Sequence, residues 1–470
     1  MPSAAERLAS NLNMGAFSQA TELKKRLWFT LGALIVFRIG TFLPIPGIDP
    51  NSLQAFFTQQ AGGILGIFDT FSGGALGRMG LFALGVMPYI SASIIMTLLQ
   101  SSIPSLKNLK EQGSQGARKR IQITRYATVL IAAIQGYGVA VGLESLQNTG
   151  GQVVIEPGLF FRFTTVVTLT GGTIFLMWLG EQITSRGVGN GISLIITAGI
   201  VANLPRAVVS TLELGRTGAI SSVFILLLII LVISLIIFIV FIEKGQRRLV
   251  VQYPKRQVGN KMFGGQSSHL PLKINTAGVI PVIFASSVLL LPTTLTGFGA
   301  GSESGAFAFI SSYLGRGQPL YLLMFGAMVV FFAFFYTAIV FNPEEQAENL
   351  RKYGGFIPGY RPGENTSKYI DYVLTRLTVI GSIYLAFVAL LPELLISRYS
   401  IPFYLGGTSL LITVVVMMDF MIQVQSHLFS HQYAGILNKT KLKGRNRWDL
   451  YFLDLRVQAR VHSQKLYQMF

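Results

Sequence analysis

The sequence predicts an all-α polytopic membrane protein with ten transmembrane helices in two inverted five-helix halves. Three observations carry that prediction. Of 470 residues, 51% are apolar and 12% charged, roughly half the charge density of a water-soluble chain. Ten apolar runs approach or exceed the roughly 20 residues that cross a bilayer as a helix. The pattern Gly-Val-x-Pro-x-Ile-x-Ala-Ser is written twice, as GVMPYISAS at 85–93 and GVIPVIFAS at 278–286, with six of nine positions identical.

The runs place spans near 25–43, 79–100, 122–143, 160–180, 189–205, 219–242, 274–294, 319–341, 374–392 and 403–423. Residues 1–20 are polar and the first run is full length, so no cleavable signal peptide is expected. The fifth run is short and opens on RGVGNGIS. Zero cysteines exclude disulfides and thiol chemistry.

Basic residues orient the spans. With a cytoplasmic N-terminus, one side receives Lys24, Lys25 and Arg26, the run Lys107 to Arg120, and a loop holding Lys244, Arg247, Arg248, Lys255, Arg256, Lys261 and Lys273. The other side receives Arg78, Arg162, Arg206, Arg216, Arg316 and Arg398. Because cytoplasmic loops carry the Lys/Arg excess, both termini are expected inside. Arg38 falls within the first span and is expected to snorkel towards the outer interface.

The loops at 243–273 and 342–373 are longer than topology requires, and in the second Glu348 and Lys352 stand at i,i+4 on an expected helix. Together they suit docking of a large cytosolic partner with an acidic face or of ribosomal RNA.

Splitting ten spans five and five makes each repeated stretch the second helix of its half, and an odd number forces the halves to face opposite ways. Gly/Pro-interrupted segments in corresponding positions of inverted halves point to a central pathway. Val86, Ile90 and Ile94 share one helix face, Ile283 corresponds to Ile90, and Ile192 and Ile196 repeat the spacing in span five. Lipid contact or helix packing explains most such stripes. Arg38 apart, charges cluster at span ends, with Asp419 towards one end of span ten, whereas a solute or ion transporter needs ionisable groups at mid-membrane. An aliphatic path repels ions by dewetting while an extended polypeptide can pass. The segment 61–80, AGGILGIFDTFSGGALGRMG, is too short to span and reads as re-entrant, a stopper or an external loop helix.

Seven segments resemble bacterial members of the SecY family, whose members form the pore of the Sec protein-translocation channel: GALIVFRIGTFLPIPGID, FSGGALGRMGLFALGVMPYISASII, FLMWLGEQITSRGVGNGISLII, EKGQRRLVVQYPKRQ, SSHLPLKINTAGVIPVIFASS, FNPEEQAENLRKYGGFIPGYRPGENTSKYI and FYLGGTSLLI. They lie in order between about residues 20 and 445. The resemblance implies an N-terminal half over 1–205, a C-terminal half over 206–424 and a cytoplasmic tail over 425–470, with a hinge between spans five and six and a lateral gate between spans two/three and seven/eight.

By motif, the constriction ring would be Val86, Ile90, Ile192, Ile196, Ile283 and Ile412, where Val86 stands for the family's commoner isoleucine. The plug helix would be about 64–77, with Ile64, Phe68, Phe71, Ser72, Gly73 and Gly74, and the polar gate positions Ser91, Gln135 and Asn275. Motor and ribosome docking would fall to Arg247, Arg248, Lys255, Arg256 and Arg361. The implied partners are the SecA ATPase, the ribosome, SecE-like and SecG-like small subunits, secretory precursors with their signal sequences, and membrane lipids. The implied location is the bacterial inner membrane. Residues 446–470 resemble nothing in the family.

No enzyme site is expected. His427 and His431 stand at i,i+4 without a completing ligand, and GVGNG follows no strand and lacks the Lys-Ser/Thr of a phosphate loop. Glu344, Glu345 and Glu348 read as a solvated helix face. Neither metal nor cofactor is expected. The competing readings are a secondary solute or ion transporter and a pore-less membrane scaffold.

Overall fold

The computed structural model describes residues 21–49, 52–53, 69–104, 106, 112–145, 153–218, 221–254, 256–258, 261–263, 267–298, 318–399 and 406–439. Two units partition the chain, Met1–Leu27 with Met421–Phe470, and Trp28–Phe420. The described part of the first unit is helical, and in it Arg26 pairs with Glu22 at 3.0 Å.

The helices are α1 (Thr21–Gly40), α2 (Met87–Ser102), α3 (Gly113–Ser145), α4 (Leu159–Arg186), α5 (Gly191–Arg216), α6 (Ser222–Lys244), α7 (Ile280–Phe298), α8 (Pro319–Val340), α9 (Pro343–Lys352), α10 (Glu364–Tyr399) and α11 (Gly407–Lys439). Among the described residues seven helical stretches are long and apolar enough to cross a membrane, and Met87–Gln100 and Ile280–Leu289 are shorter apolar helices. The chain is a multi-pass membrane protein. Chain neighbours pack α2 on α3, α3 on α4 and α4 on α5, then α7 on α8 and α8 on α10, while α7 also packs on α2 and α3. Helix α6, almost wholly aliphatic, buries only Leu235 and Ile239. In water that surface would be untenable; in hydrocarbon it needs no partner.

Several expected boundaries move. Spans two and seven begin as helix at Met87 and Ile280, not at 79 and 274, because each is preceded by a glycine in the left-handed region (Gly85 φ +57°, Gly278 φ +63°). Span five runs on past 205 to Arg216 with Pro205 inside it. Proline is tolerated there because its missing N–H costs one backbone bond in a helix that neighbours support.

The loop at 243–273 is not irregular. Strand β1 (Gln246–Gln252) pairs antiparallel with β4 (Ser267–Lys273), and inside that hairpin β2 (Arg256–Val258) pairs with β3 (Lys261–Phe263). Pro271 is accommodated because a two-stranded ladder leaves one side of each strand free. Gln252 then exchanges both backbone hydrogen bonds with Phe356 at 2.8 and 2.9 Å, tying the hairpin to the 342–373 loop. Leu249, Val251 and Leu272 bury together with Ile357 and Ile370, so the two loops share one small core. Helix α9 forms as expected, with Asn342 accepting from Glu344 N at 3.0 Å and Lys352 pairing with Glu348 at 3.2 Å.

Backbone contact at small residues holds the helices close. A Cβ on Gly172 of α4 would run into the Leu81 carbonyl, and one on Gly407 of α11 into the Val388 and Ala389 carbonyls of α10. Gly138 of α3 faces open space. Replacing Gly172 by Ala is therefore expected to cost about 1–3 kcal/mol through overpacking, read as a lower unfolding midpoint in detergent. Gly138→Ala, lacking any clash, is expected to leave the midpoint unchanged or raise it.

Candidate functional site: an aliphatic constriction with its plug turn

The repeated stretch has one local structure in both copies. Gly85 and Gly278 turn the chain, helix begins two residues later at Met87 and Ile280, and Pro88 and Pro281 occupy the first turn where a missing N–H costs nothing. The carbonyl of Val86 accepts from Ile90 N at 3.1 Å, and that of Val279 accepts from Ile283 N at 3.3 Å. Ile90 and Ile283 thus emerge at the same point of their helices.

Span five reaches the same region through a different device. Asn190 Oδ1 accepts from Ile192 N at 3.2 Å and Ser193 N at 3.5 Å, capping α5. Gly189 has φ +92°, and a Cβ on Gly191 would collide with the Gly180 carbonyl. The GVGNG stretch is therefore a helix start pressed onto α4, which aims Ile192 and Ile196 along one face. From α11, Ile412 follows one turn after the Gly407 contact.

All six side chains belong to, or pack against, one large hydrophobic cluster drawn from most of the helices. Val86 (3% exposed), Ile196 (5%) and Ile412 (1%) are buried members, and the half-buried Ile90, Ile192 and Ile283 pack against it. Phe71 and Ala75 belong to the same cluster.

Of the plug residues, Ile64 and Phe68 lie outside the described residues. From Asp69 onward the chain forms a helical turn and a tight glycine turn, in which Phe71, Ser72, Gly73 and Gly74 are buried. Ser72 Oγ donates to the Asp69 carbonyl at 3.1 Å and accepts from Leu76 N at 3.1 Å. Asp69 Oδ1 accepts from Gly77 N at 2.7 Å. Gly73 and Gly74 have φ +71° and +82°, and a Cβ on Gly199 of α5 would lie 2.8 Å from the Phe71 carbonyl. Glycine at both places lets the turn lie on α5. Burial pushes the Asp69 carboxyl above the ordinary aspartate range, against the opposing pull of the Gly77 N–H, Arg78 and Arg206.

Arg38 does not simply snorkel. Its Nη1 donates to the Gly73 carbonyl at 2.6 Å, since a protein carbonyl within reach satisfies a guanidinium better than a lipid interface held at arm's length. The sequence carries no local sign of this contact, because the partners are 35 residues apart.

The polar gate positions are not joined to one another. Ser91 and Gln135 are half-buried on α2 and α3, and Asn275 is buried just before α7, which packs on both helices. Asn275 Nδ2 donates instead to Glu243 Oε1 at 2.6 Å and to the Gly278 carbonyl at 3.0 Å. Tyr384 OH reaches the same Glu243 oxygen at 3.5 Å. Glu243, at the end of α6, is a residue the sequence reading missed; its place one residue before Lys244 made it look like an ordinary interfacial charge.

Of the docking residues, Lys255 lies outside the described residues and Arg256 stands in β2. Arg247 and Arg248 are exposed on β1, and Arg361 is exposed beside the stacked rings of Tyr360 and Tyr369, 4.0 Å apart.

The SecY family model matches residues 80–421. A curated relative, the protein translocase subunit SecY of Rickettsia typhi, is 55% identical over 424 residues, covering 90% of this chain and 98% of its own. The chain belongs to the SecY family. Two solved structures share the fold. One is described as a protein conducting channel, with TM-score 0.62 and 18% identity over 89% of this chain and 95% of that one. The other is Sec61 in the canine ribosome–channel complex from the endoplasmic reticulum, with TM-score 0.59 and 18% identity over the same shares.

Replacing Asp69 separates its acceptor role from its charge. Asp69→Asn keeps the acceptor for Gly77 N and removes a desolvated charge, so it is expected to unfold at or above the parent's midpoint. Asp69→Ala orphans the Gly77 N–H and is expected to lose about 1–3 kcal/mol. A raised carboxyl pKa means the ionised form penalises the fold fully above the folded pKa and not at all below the unfolded one. The gap between Asp69→Asn and the parent should therefore narrow as pH falls through the carboxylate range.

Proposed function

We propose that this chain is the central subunit of a protein-conducting channel, passing unfolded secretory polypeptides across the bacterial inner membrane and releasing apolar segments sideways into lipid. The carrying observation is that six branched aliphatic residues, Val86 just before α2 and the others from α2, α5, α7 and α11, belong to or pack against one cluster that also holds Phe71 and Ala75. Family membership, with a 55% identical relative named as a translocase subunit, supports the same reading.

Each part of the mechanism follows from the chemistry of its residues. At rest the aliphatic ring and the buried plug turn exclude hydrated ions, whose transfer into an apolar constriction costs many kcal/mol. A polypeptide entering from the basic side displaces the plug, and flexible side chains close around it. A segment of roughly 20 apolar residues gains more from hydrocarbon than from the pore and leaves between α2/α3 and α7/α8. The two halves part between α5 and α6, after Arg216 rather than at the expected 205/206, which lies inside α5, and both termini are cytoplasmic.

Energy for passage comes from partners. The hairpin β1–β4 and the 342–373 loop, joined through Gln252 and Phe356, form one basic docking surface carrying Arg247, Arg248 and Arg361. It suits the SecA ATPase and the ribosome, while SecE-like and SecG-like subunits cover apolar flanks within the bilayer. A solute or ion transporter is disfavoured. The six ring positions are aliphatic, and the fully buried Glu393 stands near the C-terminal end of α10, away from them in sequence.

Ile90→Gly combined with Ile283→Gly is expected to raise ion leakage through reconstituted vesicles well above the parent's; unchanged leakage would contradict the pore. Arg361→Glu is expected to stop export of secretory precursors in cells while the chain still accumulates folded in the membrane. Normal export would contradict the docking assignment.

A further inference from the structure

Three side chains outside the ring converge on the plug turn. Arg38, near the end of α1, donates Nη1 to the Gly73 carbonyl at 2.6 Å. Arg78, just beyond the turn, donates Nε to the Gly74 carbonyl at 2.9 Å and Nη2 to the Gly73 carbonyl at 3.3 Å. Both guanidiniums lie over the ring of Phe42, at 4.8 Å for Arg38 and 4.1 Å for Arg78. Phe42 is 53% exposed, so its ring does not serve to fill a core.

Two like charges gathered on one carbonyl repel each other, and an arrangement of that kind persists only if something offsets the repulsion. Here the offsets are the Gly73 and Gly74 carbonyl dipoles, the negative face of the Phe42 ring and the Asp69 carboxylate, which attracts Arg78. The carbonyls are within reach because glycines 73 and 74 hold φ above zero, exposing their oxygens on one side of the turn while Gly73 lies on Gly199. Backbone pairing brings the two arginines together. Leu81 N donates to the Leu43 carbonyl at 2.7 Å and Ile45 N to the Met79 carbonyl at 2.9 Å, aligning the chain after α1 with the chain after the plug.

We propose that Arg38, Phe42 and Arg78 form a latch that holds the glycine turn of the plug against α5, and that its release is a step in opening the channel. The inference rests on the channel reading above and adds three positioning residues to it. The latch holds backbone carbonyls rather than side chains, so it grips the turn at one place whatever the plug's side chains do. It stands at the junction of the plug with the chain that leads into α2, the point about which a departing plug would swing. Because Arg38 is held by a carbonyl dipole and a ring, with the Asp69 carboxylate attracting only Arg78, the latch restrains the plug without locking it.

The test uses the chain reconstituted in planar bilayers with the subunits that co-purify with it, recording openings in the absence of precursor. Phe42→Ala and Arg38→Gln are expected to raise the frequency of resting openings by about two- to fivefold, the size of effect that one exposed cation–π contact supplies. The conductance of each opening is expected to stay at the parent value, because neither residue lines the ring. Phe42→Tyr, which keeps the ring face, is expected to restore the parent frequency, whereas Phe42→Leu, which keeps apolar bulk without a π face, is expected to stay as leaky as Phe42→Ala, a split that a purely packing role would not show. The double Ile90→Gly, Ile283→Gly variant is recorded alongside and is expected to change the conductance itself. Parent-like opening frequency in both Phe42→Ala and Arg38→Gln, or Phe42→Tyr and Phe42→Leu variants that do not split, overturns the latch and leaves the channel standing. Ring variants of unchanged conductance overturn the channel reading, and the latch with it.

Discussion

Where a helix begins decides which of its side chains reach the centre of this protein. A helix start shifted by one residue rotates every side chain by about 100°, which would turn the ring residues towards lipid or a neighbouring backbone. The starts of α2 and α7 are set by glycines 85 and 278, which adopt positive φ. That of α5 is set by the Asn190 cap and the Gly191–Gly180 contact. That of α11 is set by Gly407 lying on α10. Four helices governed in this way deliver six aliphatic side chains to one cluster.

The plug segment obeys a different constraint. It must lie against α5 with its backbone close enough to bury, yet every buried carbonyl needs a donor. Gly199 provides the room, Ser72 and Asp69 satisfy N–H groups within the turn, and Arg38 and Arg78 satisfy the carbonyls. Apart from polar contacts around its turn, the described part of the segment is held by the apolar side chains of Phe71, Ala75 and Leu76.

Beyond the helical ends, the two long loops behave as one body rather than two. Five side chains form their core, and the backbone bridge between Gln252 and Phe356 fixes their register. Arginines 247, 248 and 361 are therefore displayed on a shared scaffold. Glu243 and Asn275 sit where that scaffold joins α6 and α7, so a force applied to the loops has a short path to the helix that packs on α2 and α3. Asn275 bonds to Glu243 and to the Gly278 carbonyl, not to Ser91 or Gln135.

The sequence by itself determined the membrane class, nearly every span, the basic loops, the i,i+4 pair of α9 and the repeat whose glycine and proline start two helices. Those features depend on composition and on neighbours within a few residues, and hydrocarbon leaves few alternatives to helix. Through its resemblance to the SecY family it also pointed to six aliphatic positions, which the structure places in or against one large cluster. Only the tertiary structure decided that β1 and β4 pair and bury against the 342–373 loop, that Asn275 bonds to Glu243, and that Arg38 reaches Gly73 beside Arg78. Each of these joins residues distant along the chain through a single directional contact. A contact of that kind has no period to read, and its energy exists only once the helices have set the distance.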